Sequence, residues 1–147
     1  MGDAMPLQAD LVRAKMLELS ATCARLRGWL PITRDRLEQD LMLQWAVERG
    51  LQVAAETLFD VGNHLLSSAF DDAANEYRQV PVRLAAHGVL SAETAAALRG
   101  LAGFRNVLVH DYARVDLDRV LAGLDRLGDF DAFLADLERW LERQPTR

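Results

Sequence analysis

The stretch WAVERGLQVAAETLFDVGNHLL, residues 45–66, decides the fold. Its apolar residues recur at steps of three and four, the spacing of a helix face and not the alternation of a strand. Leu41, Leu51, Leu58 and Leu65 form one row, yet Met42, Trp45, Val47, Val53, Phe59, Val61 and Leu66 spread over the other faces. A helix apolar nearly all round must be covered on several sides. In a chain of 147 residues, the expected cover is a second subunit in two-fold symmetry. Four-residue spacing also gives this helix a polar row of Gln52, Glu56, Asp60 and His64, with Arg49 and Asn63 beside it. Two readings of that row stay open. It is a solvated stripe, as carboxylates usually are, or Glu56, Asp60 and His64 form a groove wall.

The same periodicity runs outward in both directions. A first helix is predicted over about residues 7–29, with Leu7, Leu11, Met16, Leu19, Cys23 and Leu26 facing inward, until Gly28 and Pro31 stop it. The second helix is predicted over about 35–67. A shorter third spans about 75–87, disturbed by Pro81 and closed by Gly88. Ser91 reads as the N-cap of a fourth helix that runs through AAALRGLAGFRNVLVH, with Glu93 in its first turn. The last is predicted over about 116–143, with Leu117, Val120, Leu121, Leu124, Leu127, Phe130, Leu134, Leu137 and Leu141 on one side. Gly123 and Gly128 bend or divide it. The expected fold is all-α: one antiparallel bundle of four to five helices in a single domain over 1–147, with its core over about 7–143, paired as a two-fold homodimer.

Composition narrows the function. The formal net charge of −5 argues against a protein that coats nucleic acid generally, while leaving room for a small positive cleft. Cys23 is the only cysteine, so an internal disulfide and a multi-cysteine zinc site are both excluded, and on an Ala- and Leu-rich helix it reads as a small buried hydrophobe. No apolar run is long enough to span a bilayer, and the N-terminal residues lack a secretory pattern. A cytoplasmic protein without membrane association is expected. Gly-rich phosphate loops, H-E-x-x-H and G-x-S-x-G are absent from the sequence. His64 and His87 lie on different helices without a set of metal ligands, and His87 reads as a C-terminal residue facing the helix dipole.

The segment GFRNVLVHDY, residues 103–112, carries the chemistry. On a helix, Arg105 and Tyr112 fall seven apart on nearly one line, and Asn106 and His110 four apart on the next. Leu101, Phe104, Val107 and Leu108 fill the neighbouring faces. Each polar residue alone is ordinary; four on one edge of an apolar helix are not.

Arg105–x4–His110–x–Tyr112 resembles the R-x4-6-H signature of the HEPN superfamily, with the added tyrosine of its HepT-like branch, where a polar residue such as Asn106 commonly follows the arginine. The likeness extends to the stretch quoted first and to GVLSAETAAALRGLAGFRNVLVHDYARVD, residues 88–116. Pro81, in the third helix, departs from the pattern but touches no motif residue. The resemblance implies a homodimeric, metal-independent endoribonuclease without a cofactor. It further implies a toxin whose partner is a cognate nucleotidyltransferase antitoxin that transfers AMP to Tyr112.

The residue chemistry agrees with an RNA substrate. RNA carries its own nucleophile in the 2′-hydroxyl, which DNA lacks. His110 changes charge near neutral pH and suits proton transfer. Arg105 presents paired N–H donors to phosphate oxygens as charge develops on them. Asn106 orients the imidazole or bonds the scissile phosphate. AMP on Tyr112 adds negative charge near Arg105 and competes there with RNA phosphate. The competing expectation is a non-catalytic helical module that binds a nucleotide or a partner, with Arg105 clamping phosphate only.

Overall fold

A computed structural model of the chain describes residues 9–101 and 116–145. Among the described residues there are seven helices and no strand. We number them α1 (Ala9–Gly28), α2 (Arg34–Gln39), α3 (Leu41–Phe70), α4 (Gln79–Ala86), α5 (Ala92–Leu98), α6 (Leu117–Asp125) and α7 (Leu127–Glu142). The all-α expectation holds, with more breaks than periodicity announced. No helix among the described residues is long and apolar enough to cross a membrane.

Helix α3 is the hub, 30 residues long and therefore about 45 Å from end to end. It packs on α1, α2, α4 and α6. Val47, Leu51, Leu58, Phe59, Val61, Leu65 and Leu66 are all buried, so most of its wide apolar surface is covered within the chain. Glycine sets two of the close approaches. A Cβ at Gly50 would lie 2.7 Å from Leu26 Cδ2, and one at Gly62 would lie 2.6 Å from Val80 Cγ1. These positions let α1 and α4 approach the α3 backbone.

The expected second helix is divided at Asp40, where the backbone turns extended (φ −126°, ψ 92°). Its carboxylate accepts from the Leu43 N–H at 3.0 Å and caps α3, while its own N–H donates to the Arg36 carbonyl at 3.1 Å and closes α2. A short carboxylate bonding its own backbone competes with helix continuation. Helix α3 ends at Asp71 in the left-handed region (φ 51°), with the Asp72 N–H bonded to the Leu66 carbonyl at 2.8 Å.

Elsewhere the departures are also local. On α1 the buried row is Val12, Met16, Leu19, Cys23 and Leu26, and Leu11 is largely exposed. Steps of four and three from Val12 keep all five on one face, and Leu11 sits beside it. Helix α4 starts only at Gln79 because the Pro81 ring blocks an earlier turn, and Gly88 (φ 77°) follows it as expected. The final helix divides at Arg126. That break resets the helical phase, so Phe133, and not Leu134, lies fully buried in the core of α7. Arg13 pairs with Glu138 at 2.7 Å, and Arg27 pairs with Asp131 near the other end of α1. Helices α1 and α7 therefore run antiparallel.

Candidate functional site

Arg105, Asn106, His110 and Tyr112 lie outside the described residues. What the structure describes is the frame on either side of them. On the incoming side, Ser91 caps α5 through its hydroxyl, which accepts from the Thr94 N–H at 3.0 Å. The Ser91 N–H donates to Asp136 Oδ2 at 3.0 Å. Asp136 is 5 % exposed and also pairs with Arg139. A buried carboxylate at a helix N-terminus offsets the partial positive charge of its free N–H groups. The described helix ends at Leu98, shorter than the continuous helix expected through residue 110, and Arg99 and Gly100 form a turn.

On the outgoing side, Asp116 caps α6 by accepting from the Asp118 N–H at 3.0 Å. Between α5, α6 and α7 lies a cavity of about 180 Å³, lined in part by Leu51, Leu98, Leu101, Arg126, Asp129 and Phe130. Its one cation among the described residues, Arg126, is occupied structurally. Arg126 donates to Asp129 at 2.8 Å and to the Ala97 carbonyl at 2.7 Å, which satisfies a carbonyl at the end of α5. The frame thus fixes α5 and α6, the helices on either side of the segment that carries the motif.

The polar row of α3 is placed as follows. Gln52 Nε2 donates to Glu56 Oε1 at 3.2 Å. Glu56 and His64 are half-buried, and Asp60 and Arg49 are exposed. The His64 Nε2 atom is buried and makes no hydrogen bond with a described residue. Asn63 is a loop anchor: its amide donates to the Ala74 carbonyl at 3.2 Å and accepts from the Ala74 N–H at 2.7 Å. One member escaped the sequence reading. Glu48, one turn before Gln52, buries Oε1 without a partner among the described residues, and burial raises its carboxyl above the ordinary range. The repeat of four that marks Gln52 through His64 also reaches Glu48, and could have found it.

Two other residues are settled by their neighbours. Cys23 is 1 % exposed, and burial pushes its thiol up to about 11, so it is a protonated core residue at neutral pH. His87 ends α4 as expected, and it makes two further contacts. Its Nε2 lies 2.9 Å from Asp72 Oδ2, and its ring stacks on Phe70 with centroids 4.1 Å apart. Among the described residues no group of three or more His, Cys, Asp or Glu side chains is arranged to hold a metal ion.

Comparison with known proteins places the chain. Residues 19–137 match the model of the family described as ribonuclease HepT-like. The mRNA nuclease HepT of Shewanella oneidensis is 29 % identical over 101 residues, which are 68 % of this chain and 76 % of that protein. The tRNA nuclease HepT of Aphanizomenon flos-aquae is 27 % identical over 99 residues, 67 % of each. Among solved structures, the tri-AMPylated HEPN toxin of Shewanella oneidensis in complex with its MNT antitoxin superposes with a TM-score of 0.77 at 24 % identity, over 95 % of this chain and 99 % of that one. YutE of Bacillus subtilis, a cytosolic protein of unknown function, superposes with a TM-score of 0.81 at 16 % identity, over 96 % of both chains. The chain belongs to the ribonuclease HepT-like family.

Proposed function

We propose that this protein is a metal-independent endoribonuclease and the toxin of a toxin–antitoxin pair, acting as a homodimer built from one domain per chain. The observation that carries the reading is the Arg105–x4–His110–x–Tyr112 spacing within a chain of the ribonuclease HepT-like family. His110 moves protons to and from the 2′-hydroxyl and the leaving oxygen, and Arg105 stabilises the charge that grows on the phosphorane. Asn106 supports the imidazole or the phosphate. One Arg–His pair is a sparse site, and two copies facing each other across a dimer cleft frame an RNA strand with twice the positive charge.

Tyr112 is the off switch. A nucleotidyltransferase antitoxin transfers AMP to its hydroxyl, with pyrophosphate leaving from ATP. The AMP phosphate then occupies Arg105 in place of RNA phosphate. This reading draws support from a relative's description as a tri-AMPylated toxin held by an MNT antitoxin.

The experiment is RNA cleavage by purified wild-type, Arg105→Ala and His110→Ala proteins, each checked for helical content. Loss of the His110 imidazole lowers the rate by roughly 10²–10⁴-fold. Folded variants that cut at the wild-type rate would falsify the assignment. Incubation with the antitoxin and ATP, followed by peptide mass spectrometry, tests Tyr112 separately.

A further inference from the structure

Glu48 is a buried titratable group on α3 that the proposed mechanism does not use. Its side chain is half-buried, and Oε1 is buried without a hydrogen-bond partner among the described residues. Gln52, one turn on, gives its amide to Glu56 instead. Burial is what raises the Glu48 carboxyl, with no charged side chain among the described residues contributing. A buried polar atom left unpaired costs stability, and titratable groups kept in such surroundings cluster at sites of chemistry.

The fold sets Glu48 between the two ends of the segment that carries the motif. Gly62 of α3 meets Val80 and Leu84 of α4. Leu51, about 16 Å nearer the start of α3, lines the cavity with Leu98 and Leu101. The chain therefore descends α3 as residue number rises. Helix α6 starts beside α2, where Asp118 pairs with Arg34, and climbs to the same cavity at Ala122 and Gly123. The described chain thus leaves off at the level of Leu51 and resumes at the level of α2. Glu48 stands one turn below Leu51, and Glu48, Leu51 and Gly62 share one side of α3 to within about 60°.

We propose that Glu48 is the general acid of the ribonuclease, giving its proton to the 5′-oxygen as that oxygen leaves. The assignment rests on the function proposed above and divides its proton transfers between two residues. His110 acting alone takes one proton and gives another; two groups in unlike surroundings do this together. His110 takes the 2′-hydroxyl proton as the O2′–P bond forms, and Glu48 protonates O5′ as the P–O5′ bond breaks. A 2′,3′-cyclic phosphate and a 5′-hydroxyl result. The Glu48 carboxylate and the His110 imidazolium then regain their starting forms by proton exchange with water.

The test uses a leaving group that needs no proton. An RNA with sulfur in place of one bridging 5′-oxygen releases a thiolate, because thiols ionise far more readily than alcohols. Single-turnover rates of wild type and Glu48→Gln are compared on this RNA and on its all-oxygen counterpart. Glu48→Gln is expected to cut the oxygen RNA roughly 10²-fold more slowly and the sulfur RNA at the wild-type rate, with no fall in its urea midpoint at pH 7. Equal slowing on both RNAs overturns the acid. Wild-type rates on both also overturn it and leave the ribonuclease standing. Wild-type protein that cuts neither RNA overturns the ribonuclease reading itself. Should Glu48→Gln lose its fold, Glu48→Asp, which keeps the carboxyl and withdraws it by one methylene, enters the same comparison. Slowing confined to the oxygen RNA supports the acid, and any other pattern overturns it.

Discussion

The buried carboxylate of Asp136, on α7, accepts a hydrogen bond from the backbone N–H of Ser91, at the start of α5, at 3.0 Å. Forty-five residues apart in the chain, the two form one capping unit, because Ser91 in turn accepts from Thr94. The helix they start leads into the segment that carries Arg105 and His110. Asp136→Ala leaves the Ser91 N–H without its acceptor and is expected to cost about 1.5–3 kcal/mol. Ser91→Ala, which removes only the cap, is expected to cost about 1 kcal/mol. Urea unfolding of both variants should preserve that order.

Gly62 is expected to resist substitution. Alanine favours a helix interior over glycine by about 1 kcal/mol, so propensity alone predicts stabilisation. The added Cβ would sit 2.6 Å from Val80 Cγ1 and 3.1 Å from Leu84 Cδ1. Val80 is buried and β-branched, with little rotamer freedom to yield. Overpacking wins, and Gly62→Ala should lose about 1–2 kcal/mol net. A raised thermal midpoint would show instead that α4 moves away freely.

Glu48 makes stability depend on pH in a defined direction. Its carboxyl is raised above the ordinary range by burial, so the folded chain holds this proton more tightly than the unfolded chain. The resulting stabilisation is fully present below the ordinary glutamate pKa, about 4.3. It is lost as pH rises from there through the folded value. Glu48→Gln removes that dependence and should raise stability at pH 7 by about 1 kcal/mol or less. Urea midpoints of the two proteins at pH 4 and pH 7 check both the sign and the size.

Cys23 should be chemically silent in the folded protein. It is 1 % exposed with its thiol pushed up to about 11, so both access and thiolate content oppose alkylation. Iodoacetamide at pH 7.5 is expected to label the chain only in denaturant. Cys23→Ser, which puts a hydroxyl among Leu19, Leu26 and their neighbours, should destabilise by about 1–3 kcal/mol.

The sequence by itself determined the helical class, the cap at Ser91, a helix start near residue 116, the stop at Gly88, the burial of Cys23 and the spacing of Arg105, Asn106, His110 and Tyr112. These are properties of short windows, where periodicity and capping chemistry act within one or two turns. The motif is legible there alone, since its residues lie outside those described. Tertiary structure decided what such windows leave open. Asp40 breaks a helix whose apolar spacing runs on across the break, because its cap competes with one more turn by margins that packing settles, while the last helix divides at Arg126, between the two glycines expected to bend or divide it. Val12 is buried where Leu11 was expected, and Phe133 where Leu134 was. Spacing fixes the angle between two side chains on a helix and leaves free which of them turns to the core. Asn63 goes to the Ala74 backbone and His87 to Asp72 and Phe70, contacts made by loops that no periodicity describes. The long apolar helix met first shows the division most clearly. Its sequence demanded cover on many sides; the fold supplies α1, α2, α4 and α6, and leaves Met42, Trp45, Arg49 and Asp60 facing outward.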